Sequence, residues 1–162
     1  MGAGKSTIGP LLARELNWDF IDMDQAIEIS EGRPITQIFL EEGEAYFRRL
    51  ESKKIQDLRT KKSCVVALGG GAFIQESNRL LIQNIGFSVF LDCALNVILE
   101  RCPNDGTRPL FLSLEKVEAL HAARLPYYHM SDFRVDVTNQ TPERIVETIV
   151  AHLEFGRFGD AR

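Results

Sequence analysis

The chain opens with Met1-Gly2-Ala3-Gly4-Lys5-Ser6-Thr7, and this stretch decides the fold class. It matches the second half of the phosphate-binding loop pattern G-x-x-x-x-G-K-[ST], in which backbone amides surround phosphate oxygens. In this pattern Lys5 reaches the outer phosphates and Ser6 holds Mg²⁺. The helix that follows directs the positive end of its dipole to the same place. Because such a loop normally joins a buried strand to a helix, the stretch predicts a phosphate site within an α/β fold.

The same pattern also bears on the start of the chain. Its first glycine would fall two positions before Met1, and the strand that usually precedes the loop is not present in the sequence. We therefore expect the natural protein to begin about ten residues upstream, a distance judged from ordinary strand lengths. The alternative is a protein that has lost this strand.

The composition is that of one ordinary globular domain. Of the 162 residues, 44% are hydrophobic and 26% are charged, so we expect a single domain over residues 1–162. The net charge of −4 argues against a nucleic-acid partner, because phosphate backbones require clustered Lys and Arg. No apolar stretch approaches the length of about 18 residues that a membrane span needs, and no signal peptide is recognisable. We therefore expect a cytoplasmic protein without a membrane partner.

Apolar runs alternate with helical patterns along the chain, which is typical of βαβ units and a parallel sheet. Strands are predicted at about 18–22, 63–68, 87–91 and 133–137. Helices are predicted at about 5–16, 76–83, 94–101 and 113–125, and from Pro142 onward with Thr141 as N-cap. Residues 24–60 are predicted to be helical, with breaks at 32–34 and at Gly43. The segment at about 102–112 contains Pro and Gly and is predicted to be a mobile lid loop.

Candidate site residues fall where predicted strands end, and ligands of open parallel sheets bind beyond the carboxyl ends of the strands. Asp22, Asp24, Gly69–Gly71 and Cys93 lie at such ends. Spaced i, i+2, the two aspartates would point to one side of an extended chain. One suits the water shell of Mg²⁺, and the other suits an acceptor hydroxyl that must be oriented or deprotonated. Capping of the next helix would also explain the aspartates. Three glycines in a row indicate a close approach of the backbone, or a plain turn.

Three arginines are candidates for binding anions. Arg48 lies in the helical region, where a solvated helix face is the alternative reading. Arg108, in the loop with Pro and Gly, resembles a lid cation that closes over a transferring phosphate. Arg124 has the guanidinium fork that grips carboxylates, although a surface position explains it equally well. Arginines in an acidic chain are compatible with a small anionic ligand.

Taken in order, these segments make the chain resemble the shikimate kinase family, a group of small P-loop kinases related to nucleoside monophosphate kinases. The resemblance runs from residue 1 to about residue 154. It is carried by Gly2–Thr7, Phe20–Asp24, Ile38-Phe39, Gly43–Arg48 with Glu51, Gly69–Gly71, Arg108–Leu110, Arg124–Tyr128 and the segment from Val135 to Glu143. No single piece is decisive, whereas their ordered combination is specific.

The resemblance implies a three-layer α/β/α P-loop kinase fold with a parallel sheet, here lacking the usual first central strand. It implies ATP-dependent phosphorylation of the 3-hydroxyl of shikimate, on the route to chorismate and the aromatic amino acids. It also implies an acceptor-binding helical region at about 24–60 and a monomeric protein.

The resemblance implies a role for each matching residue. ATP would be bound by Gly2, Ala3, Gly4, Lys5, Ser6, Thr7 and Arg108, with Arg101 and Gln140 near the adenine. Shikimate would be bound by Asp24, Arg48, Gly69, Gly70, Gly71 and Arg124, with the two arginines on its carboxylate. Ser6 and Asp22 would hold Mg²⁺, and Lys5, Asp24 and Arg108 would be the catalytic residues.

Two other functions stay open at this point. One is a related kinase of the same fold that acts on another small molecule or on a nucleotide. The other is a kinase-like module that binds a ligand or partner without turnover, although the intact set of Lys5, Ser6, Asp24 and Arg108 argues against it.

Overall fold

The structure, a computed structural model, describes residues 2–101 and 114–159. The lid loop predicted at about 102–112, with Arg108, lies outside the described residues. The helices are α1 (Lys5–Leu16), α2 (Met23–Glu31), α3 (Ile35–Asp57), α4 (Glu76–Ile85), α5 (Leu95–Arg101), α6 (Leu114–Tyr128) and α7 (Pro142–Gly159). The strands are β1 (Asp19–Asp22), β2 (Cys64–Ala67), β3 (Val89–Asp92) and β4 (Phe133–Asp136). Short 3₁₀ turns occupy Leu58–Thr60 and Ala72–Ile74.

The predicted order of helices and strands is confirmed, and the bounds of α1 are those predicted. Gly4 precedes α1 with a φ of 91°, a left-handed conformation that a glycine adopts without steric cost. Asn17 ends the helix in a second left-handed conformation, with a φ of 54°. At the start of α7, the amide of Arg144 donates to Oγ1 of Thr141 at 3.3 Å, so the predicted N-cap is formed.

The four strands form two parallel pairs, as their predicted βαβ connections require. β1 pairs with β2, from Asp19 opposite Cys64 to Asp22 opposite Ala67. β3 pairs with β4, from Val89 opposite Phe133 to Asp92 opposite Asp136. Within the described residues the two pairs are separate hydrogen-bonded ladders. Their carboxyl ends carry Asp22, the glycine segment and Cys93, as predicted.

Helices cover both faces of the strands, which gives three layers. One core lies between α1, α7 and the strands and contains Ile8, Leu12, Val135, Val137, Ile145, Val146 and Ile149. The other lies beneath α2, α3 and α4 and contains Met23, Ile27, Ile38, Phe47, Ile55, Phe73 and Ile82. On β2, Val65 packs against the first core and Val66 against the second, since successive strand residues point to opposite faces. The fold is therefore α/β/α.

The helical region at about 24–60 breaks where glycines were predicted to break it. Gly32 ends α2 with a φ of 67°. Gly43 interrupts α3 with a φ of 77° and a ψ of 174°. The rings of Phe39 and Phe47, on either side of this kink, pack with centroids 4.9 Å apart. The kink therefore turns the second half of α3, which carries Arg48, towards the glycine segment after β2.

The predicted end of α6 at about Leu125 is wrong, because the helix continues to Tyr128 with Pro126 inside it. A proline removes one helical hydrogen bond and disfavours the helical conformation of the residue before it. The hydrogen bonding resumes at once, however, since the amide of His129 donates to the Leu125 carbonyl at 3.1 Å. The extra turn packs the ring of Tyr128 against Phe90, with centroids 5.3 Å apart. None of the helices in the described ranges combines the length and hydropathy needed to cross a membrane.

Candidate active site

Three consecutive glycines, Gly69, Gly70 and Gly71, follow β2 and form the centre of the candidate site. None of them has a positive φ, and Gly71 has an ordinary right-handed conformation with a φ of −81°. The backbone conformation therefore does not require glycine at these positions. The reason lies in their neighbours, because each glycine lies against different polar side chains.

Gly69 and Gly71 lie against side chains from α2 and α3. A methyl group at Gly69 would lie 2.7 Å from Oε1 of Glu51 and 3.1 Å from Oδ1 of Asp24. A methyl group at Gly71 would lie 2.5 Å from Nη2 of Arg48 and still nearer to Nη1 and Cζ. Glu51, Asp24 and Arg48 thus pack directly on this backbone, in space that a larger residue at Gly69 or Gly71 would occupy. The close approach predicted for the glycines is present.

Gly70 lies against α6. A methyl group there would lie 2.8 Å from Oη of Tyr128 and 3.3 Å from Nη1 of Arg124. Tyr128 donates its hydroxyl hydrogen to the Gly70 carbonyl at 2.9 Å. Arg124 and Tyr128 are four residues apart and so share one face of the helix. One face of α6 and the second half of α3 therefore meet at the glycine segment.

Arg48 is held by two carboxylates and does not belong to a solvated helix face. Its Nη1 lies 2.5 Å from Oε2 of Glu51, and its Nη2 lies 2.7 Å from Oε1 of Glu44. Burial lowers the pKa of Arg48, but the two carboxylates outweigh it and raise that pKa above its usual range. Arg48 therefore remains a cation. Arg49, next to it, is the exposed arginine, and its guanidinium lies over the ring of Tyr46.

Glu51 is completely buried and is the only acidic side chain among the fully buried residues of the described ranges. Its burial raises the pKa of its carboxyl group, an effect that the neighbouring Arg48 only partly offsets. Oε2 binds Arg48, whereas Oε1 is buried without a hydrogen-bond partner in the described part of the chain. The second such atom there is Nε of Arg124, whose residue is 9% exposed. Buried polar atoms are normally paired, so these two indicate that a polar ligand completes the site.

A cleft of ≈ 1000 Å³ opens beside these residues, between α3 and α6. Arg48, Gly71 and Arg124 line it. A cleft of this size with a few convergent polar groups is typical of a small-molecule site. Because the partly or fully buried Arg48 and Arg124 are among its lining residues, the expected ligand carries a carboxylate or a similar anionic group.

Asp22 and Asp24 are arranged differently from the sequence-based expectation. They do not share one side of an extended chain, because Asp22 ends β1 while Asp24 already lies in the first turn of α2. Asp22 is the N-cap of that helix, and its Oδ1 accepts the amides of Asp24 at 3.0 Å and Gln25 at 3.3 Å. This cap turns the chain directly from strand to helix. Only Oδ1 of Asp22 takes part in this cap, and Oδ2 does not.

Asp24 is exposed, and its pKa is raised from the usual value for an aspartate. The main cause is partial desolvation by the surrounding protein, followed by the negative charge of Asp22. Lys5 and Arg48 act in the opposite direction and lower the pKa. A carboxylate with a raised pKa binds a proton more readily, which suits a group that takes one from a hydroxyl.

The N-terminal loop has the backbone conformation that phosphate binding needs. Gly2 and Gly4 have positive φ values of 67° and 91°. The Gly4 carbonyl accepts the amides of Thr7 at 3.0 Å and Ile8 at 2.8 Å, which starts α1. No side chain of the described residues caps this helix, and Ser6 is exposed in its first turn. The start of α1 therefore fits an anion.

The N-terminal loop lies near residues of the glycine cluster. Lys5 is close enough to Asp24 for its positive charge to lower the pKa of that carboxyl group. Ala3 shares a small cavity of ≈ 60 Å³ with Arg124 and Tyr128. A phosphate bound at the loop would thus lie beside a molecule bound at the glycine segment.

A divalent ion at this site would depend on few protein ligands. Within residues 2–101 and 114–159, no group of three or more His, Cys, Asp or Glu side chains is arranged to hold a metal ion. Mg²⁺ generally keeps several waters and is held by one or two protein groups together with substrate phosphates. Ser6 at the start of α1 and Asp22 at the end of β1 are the side chains suited to this role.

One predicted site residue, Gln140, is not brought into this cluster, and two others fall wholly or partly outside the described residues. Gln140 is exposed in the turn before α7, where its Nε2 donates to the Asp136 carbonyl at 2.7 Å. Arg101 is the last residue of α5, and its side chain lies outside what the structure describes. Arg108 lies outside the described residues altogether.

Two residues of the cluster received no role in the sequence analysis. Glu51 was noted only as part of the family pattern, and its spacing of three residues from Arg48 on one helix was the available signal. Tyr128 stands four residues after Arg124, but the predicted end of α6 at about Leu125 obscured that spacing. Both signals are common on helices, so neither was sufficient without the structure.

Comparisons with known proteins show the family to which the chain belongs. The family model described as shikimate kinase matches residues 1–154. The shikimate kinase of Sulfurihydrogenibium sp. is 40% identical over 155 residues, covering 95% of this chain and 93% of that protein. The crystal structure of shikimate kinase from Aquifex aeolicus superposes with a TM-score of 0.85 at 36% identity, covering 98% of this chain and 94% of that one.

A second solved structure is similar over the whole chain. It is described as the shikimate kinase from Acinetobacter baumannii in complex with shikimate, and it superposes with a TM-score of 0.90 at 31% identity. The similarity covers 100% of this chain and 91% of that one. By its sequence, its fold and the residues gathered at its glycine segment, the chain belongs to the shikimate kinase family.

Proposed function

We propose that this chain phosphorylates the 3-hydroxyl of shikimate with ATP and releases shikimate 3-phosphate and ADP, a step of chorismate and aromatic amino acid biosynthesis. The observation that carries the proposal is the meeting of Arg48, Arg124 and Asp24 around the glycine segment, beside a phosphate-binding loop. A nucleotide acceptor suits this cluster less well, because two guanidinium groups around a cleft favour a carboxylate. The Acinetobacter relative, described with shikimate bound, supports the same acceptor.

The acceptor is bound by charge at one end and by hydrogen bonds at the other. Arg48 and Arg124 bind its carboxylate, and Glu51 keeps the first of these guanidinium groups in place. Asp24 and the backbone of Gly69–Gly71 hold the ring hydroxyls. Each charged hydrogen bond is worth about 1.5–3 kcal/mol, so these contacts also exclude acceptors without a carboxylate.

Asp24 orients the attacking hydroxyl and takes its proton. The oxygen of that hydroxyl forms a bond to the γ-phosphorus of ATP, and the bond between that phosphorus and the β,γ-bridging oxygen breaks, so that ADP leaves. The raised pKa of Asp24 suits it to receive the proton. Phosphoryl transfer needs positioning and charge neutralisation more than covalent help, so no further nucleophile is required.

The nucleotide is bound by the N-terminal loop. The backbone of Gly2, Ala3 and Gly4 and the first turn with Ser6 and Thr7 surround the phosphates, and Lys5 neutralises the charge on the outer ones. Ser6, and Asp22 through water, would hold Mg²⁺, which would supply further neutralisation of phosphate charge. Arg108 stabilises charge on the transferring group, and Arg101 and Gln140 lie against the adenine.

The proposal extends to the organisation of the protein. Residues 1–162 form one domain, with an acceptor-binding region at about 24–60 and a lid at about 102–112 that excludes water from the transferring phosphate. The protein acts as a cytoplasmic monomer on a small-molecule substrate, without a nucleic-acid or membrane partner.

The test is the release of ADP from MgATP with and without shikimate. Gluconate and a nucleoside monophosphate serve as control acceptors, and shikimate methyl ester tests the carboxylate, since it keeps the ring and its hydroxyls. We expect stimulation by shikimate and little by the ester. Stimulation by the nucleoside monophosphate instead would indicate a nucleotide kinase, and ATP binding without ADP release under any acceptor would indicate a non-catalytic module.

A further inference from the structure

The hydroxyl of Tyr128 makes a hydrogen bond that the proposed roles do not use. It donates to the carbonyl of Gly70 at 2.9 Å, and Gly70 lies 58 residues away along the chain. Tyr128 is on the last turn of α6, on the same face as Arg124. The bond therefore joins the glycine segment to the helix that carries one of the carboxylate-binding arginines.

The position of this hydroxyl is well defined. The ring of Tyr128 packs against Phe90 on β3, with centroids 5.3 Å apart. Burial raises the pKa of the phenol above its ordinary value, although Arg124 acts in the opposite direction. Tyr128 thus stays protonated at neutral pH and keeps the hydrogen that it donates.

Holding the Gly70 carbonyl also sets the direction of the next amide. In a trans peptide unit the C=O bond and the following N–H bond point in opposite directions. Because the Gly70 carbonyl points to Tyr128, the amide of Gly71 points away from it. Gly71 lines the cleft together with Arg48 and Arg124. The orientation of one peptide unit in the acceptor site is therefore tied to α6.

We propose that Tyr128 is a positioning residue for the acceptor, which orients the Gly70–Gly71 peptide unit and sets its distance from the Arg124 guanidinium. The Gly70–Gly71 peptide unit, which binds ring hydroxyls, and the Arg124 guanidinium, which binds the carboxylate, are then held at a fixed distance from each other. That distance suits an acceptor whose hydroxyls and carboxylate are separated by a ring of one size. This inference rests on the proposed function, because it assigns that separation to shikimate.

The first test compares Tyr128→Phe with Tyr127→Phe. The first variant loses the hydroxyl but keeps the ring that packs on Phe90. The second loses the hydroxyl of the neighbouring tyrosine, whose ring lies 5.1 Å from the guanidinium carbon of Arg79. We expect the KM for shikimate to rise about fivefold in Tyr128→Phe alone, the loss typical of one hydrogen bond. The KM for ATP and kcat should stay within about twofold.

A double-mutant cycle tests the contact itself. Gly70→Ala places a methyl group 2.8 Å from the Tyr128 hydroxyl, so in the parent chain it pushes that hydroxyl away. In the Tyr128→Phe background this clash is absent, and only Arg124 Nη1 at 3.3 Å remains close. Gly70→Ala should therefore raise the KM for shikimate by a smaller factor in that background. The midpoint of thermal unfolding should show the same coupling, independently of turnover.

The outcomes separate this inference from the proposed function. A parent chain without shikimate-stimulated ADP release would refute the proposed function, and the positioning role with it. An active parent chain in which Tyr128→Phe and Tyr127→Phe have equal KM values for shikimate would refute the positioning role alone. Equal fold changes for Gly70→Ala in both backgrounds, or a loss of kcat with KM unchanged, would also overturn it.

Discussion

Gly71→Ala is expected to disable the binding of shikimate while leaving the fold intact. The φ of −81° and ψ of −25° at this position are open to any residue, so the substitution carries no backbone strain. The new methyl group would lie 2.5 Å from Nη2 of Arg48 and nearer still to Nη1 and Cζ. Nonbonded carbon contacts are optimal at about 3.5–4.0 Å. The guanidinium must therefore move by about 1 Å or more.

The expected magnitude follows from the interactions that this movement breaks. Arg48 Nη1 lies 2.5 Å from Oε2 of the buried Glu51, which fixes the guanidinium where a carboxylate of the acceptor would meet it. A hydrogen bond to a charged group is worth about 1.5–3 kcal/mol, and about 1.4 kcal/mol corresponds to a factor of ten. The KM for shikimate should rise about 10- to 100-fold. The phosphate-binding loop is untouched, so the KM for ATP should stay within about twofold.

The assay is ADP release at varied shikimate and at varied ATP. Gly86→Ala is the matched control, since its methyl group would meet only the Ile82 carbonyl, at 3.8 Å, and its φ of −164° is ordinary extended backbone. In an Arg48→Ala background, Gly71→Ala should cost little more, because the clashing side chain is gone. A shikimate KM equal to that of the parent chain, or the same loss in both backgrounds, would refute the reasoning.

Three further substitutions test the remaining side chains of the cluster. Asp24→Asn should lower kcat by at least about 100-fold, as expected for loss of a general base. In the parent chain, the apparent pKa at which activity falls on the acid side should be higher than the ordinary pKa of an aspartate. Because the pKa of Asp24 is raised in the folded state, its ionised form lowers the free energy of unfolding at neutral pH, and this loss disappears below about pH 3.9. Asp24→Asn should therefore unfold at a higher temperature than the parent chain at pH 7. An equal or lower unfolding temperature would contradict the raised pKa. Arg124→Ala should raise the KM for shikimate about 10- to 100-fold with the KM for ATP unchanged, and an unchanged dissociation constant for shikimate in calorimetry would exclude it from the carboxylate site. Glu51→Gln keeps the shape of the side chain but removes the charge that holds Arg48. We therefore expect a higher KM for shikimate at an almost constant kcat. A loss confined to kcat would mean that Glu51 does not act through Arg48.

The sequence was sufficient for features that depend on neighbouring residues. The bounds of α1, the break at Gly43 and the N-cap at Thr141 are confirmed, because each is set by the conformational freedom or hydrogen bonding of a few adjacent residues. The phosphate-binding loop belongs to the same class, since its glycines and lysine act within one turn of the chain. The placement of candidate residues at strand ends also followed, because parallel strands carry their carboxyl ends to one edge.

The sequence was not sufficient where a local signal competed with packing. α6 was predicted to end at about Leu125, next to Pro126, yet the helix continues and packs Tyr128 on Phe90. For Asp22 and Asp24 two local interpretations were open, a shared side of an extended chain and capping of the next helix, and the structure has the cap. For α6, the packing of Tyr128 stabilised a conformation that the local pattern made less favourable.

The amino-acid sequence was sufficient for the fold class and for the phosphate-binding loop motif, and it supplied the candidate residues of the acceptor site as predictions. Only the tertiary structure decided which partner each glycine meets: Glu51 and Asp24 at Gly69, Tyr128 and Arg124 at Gly70, and Arg48 at Gly71. The physical reason is range. Conformational preferences act over a few residues, whereas these contacts join segments far apart along the chain. The contacts form only when both cores are packed, because that packing places α3 and α6 against the glycine segment.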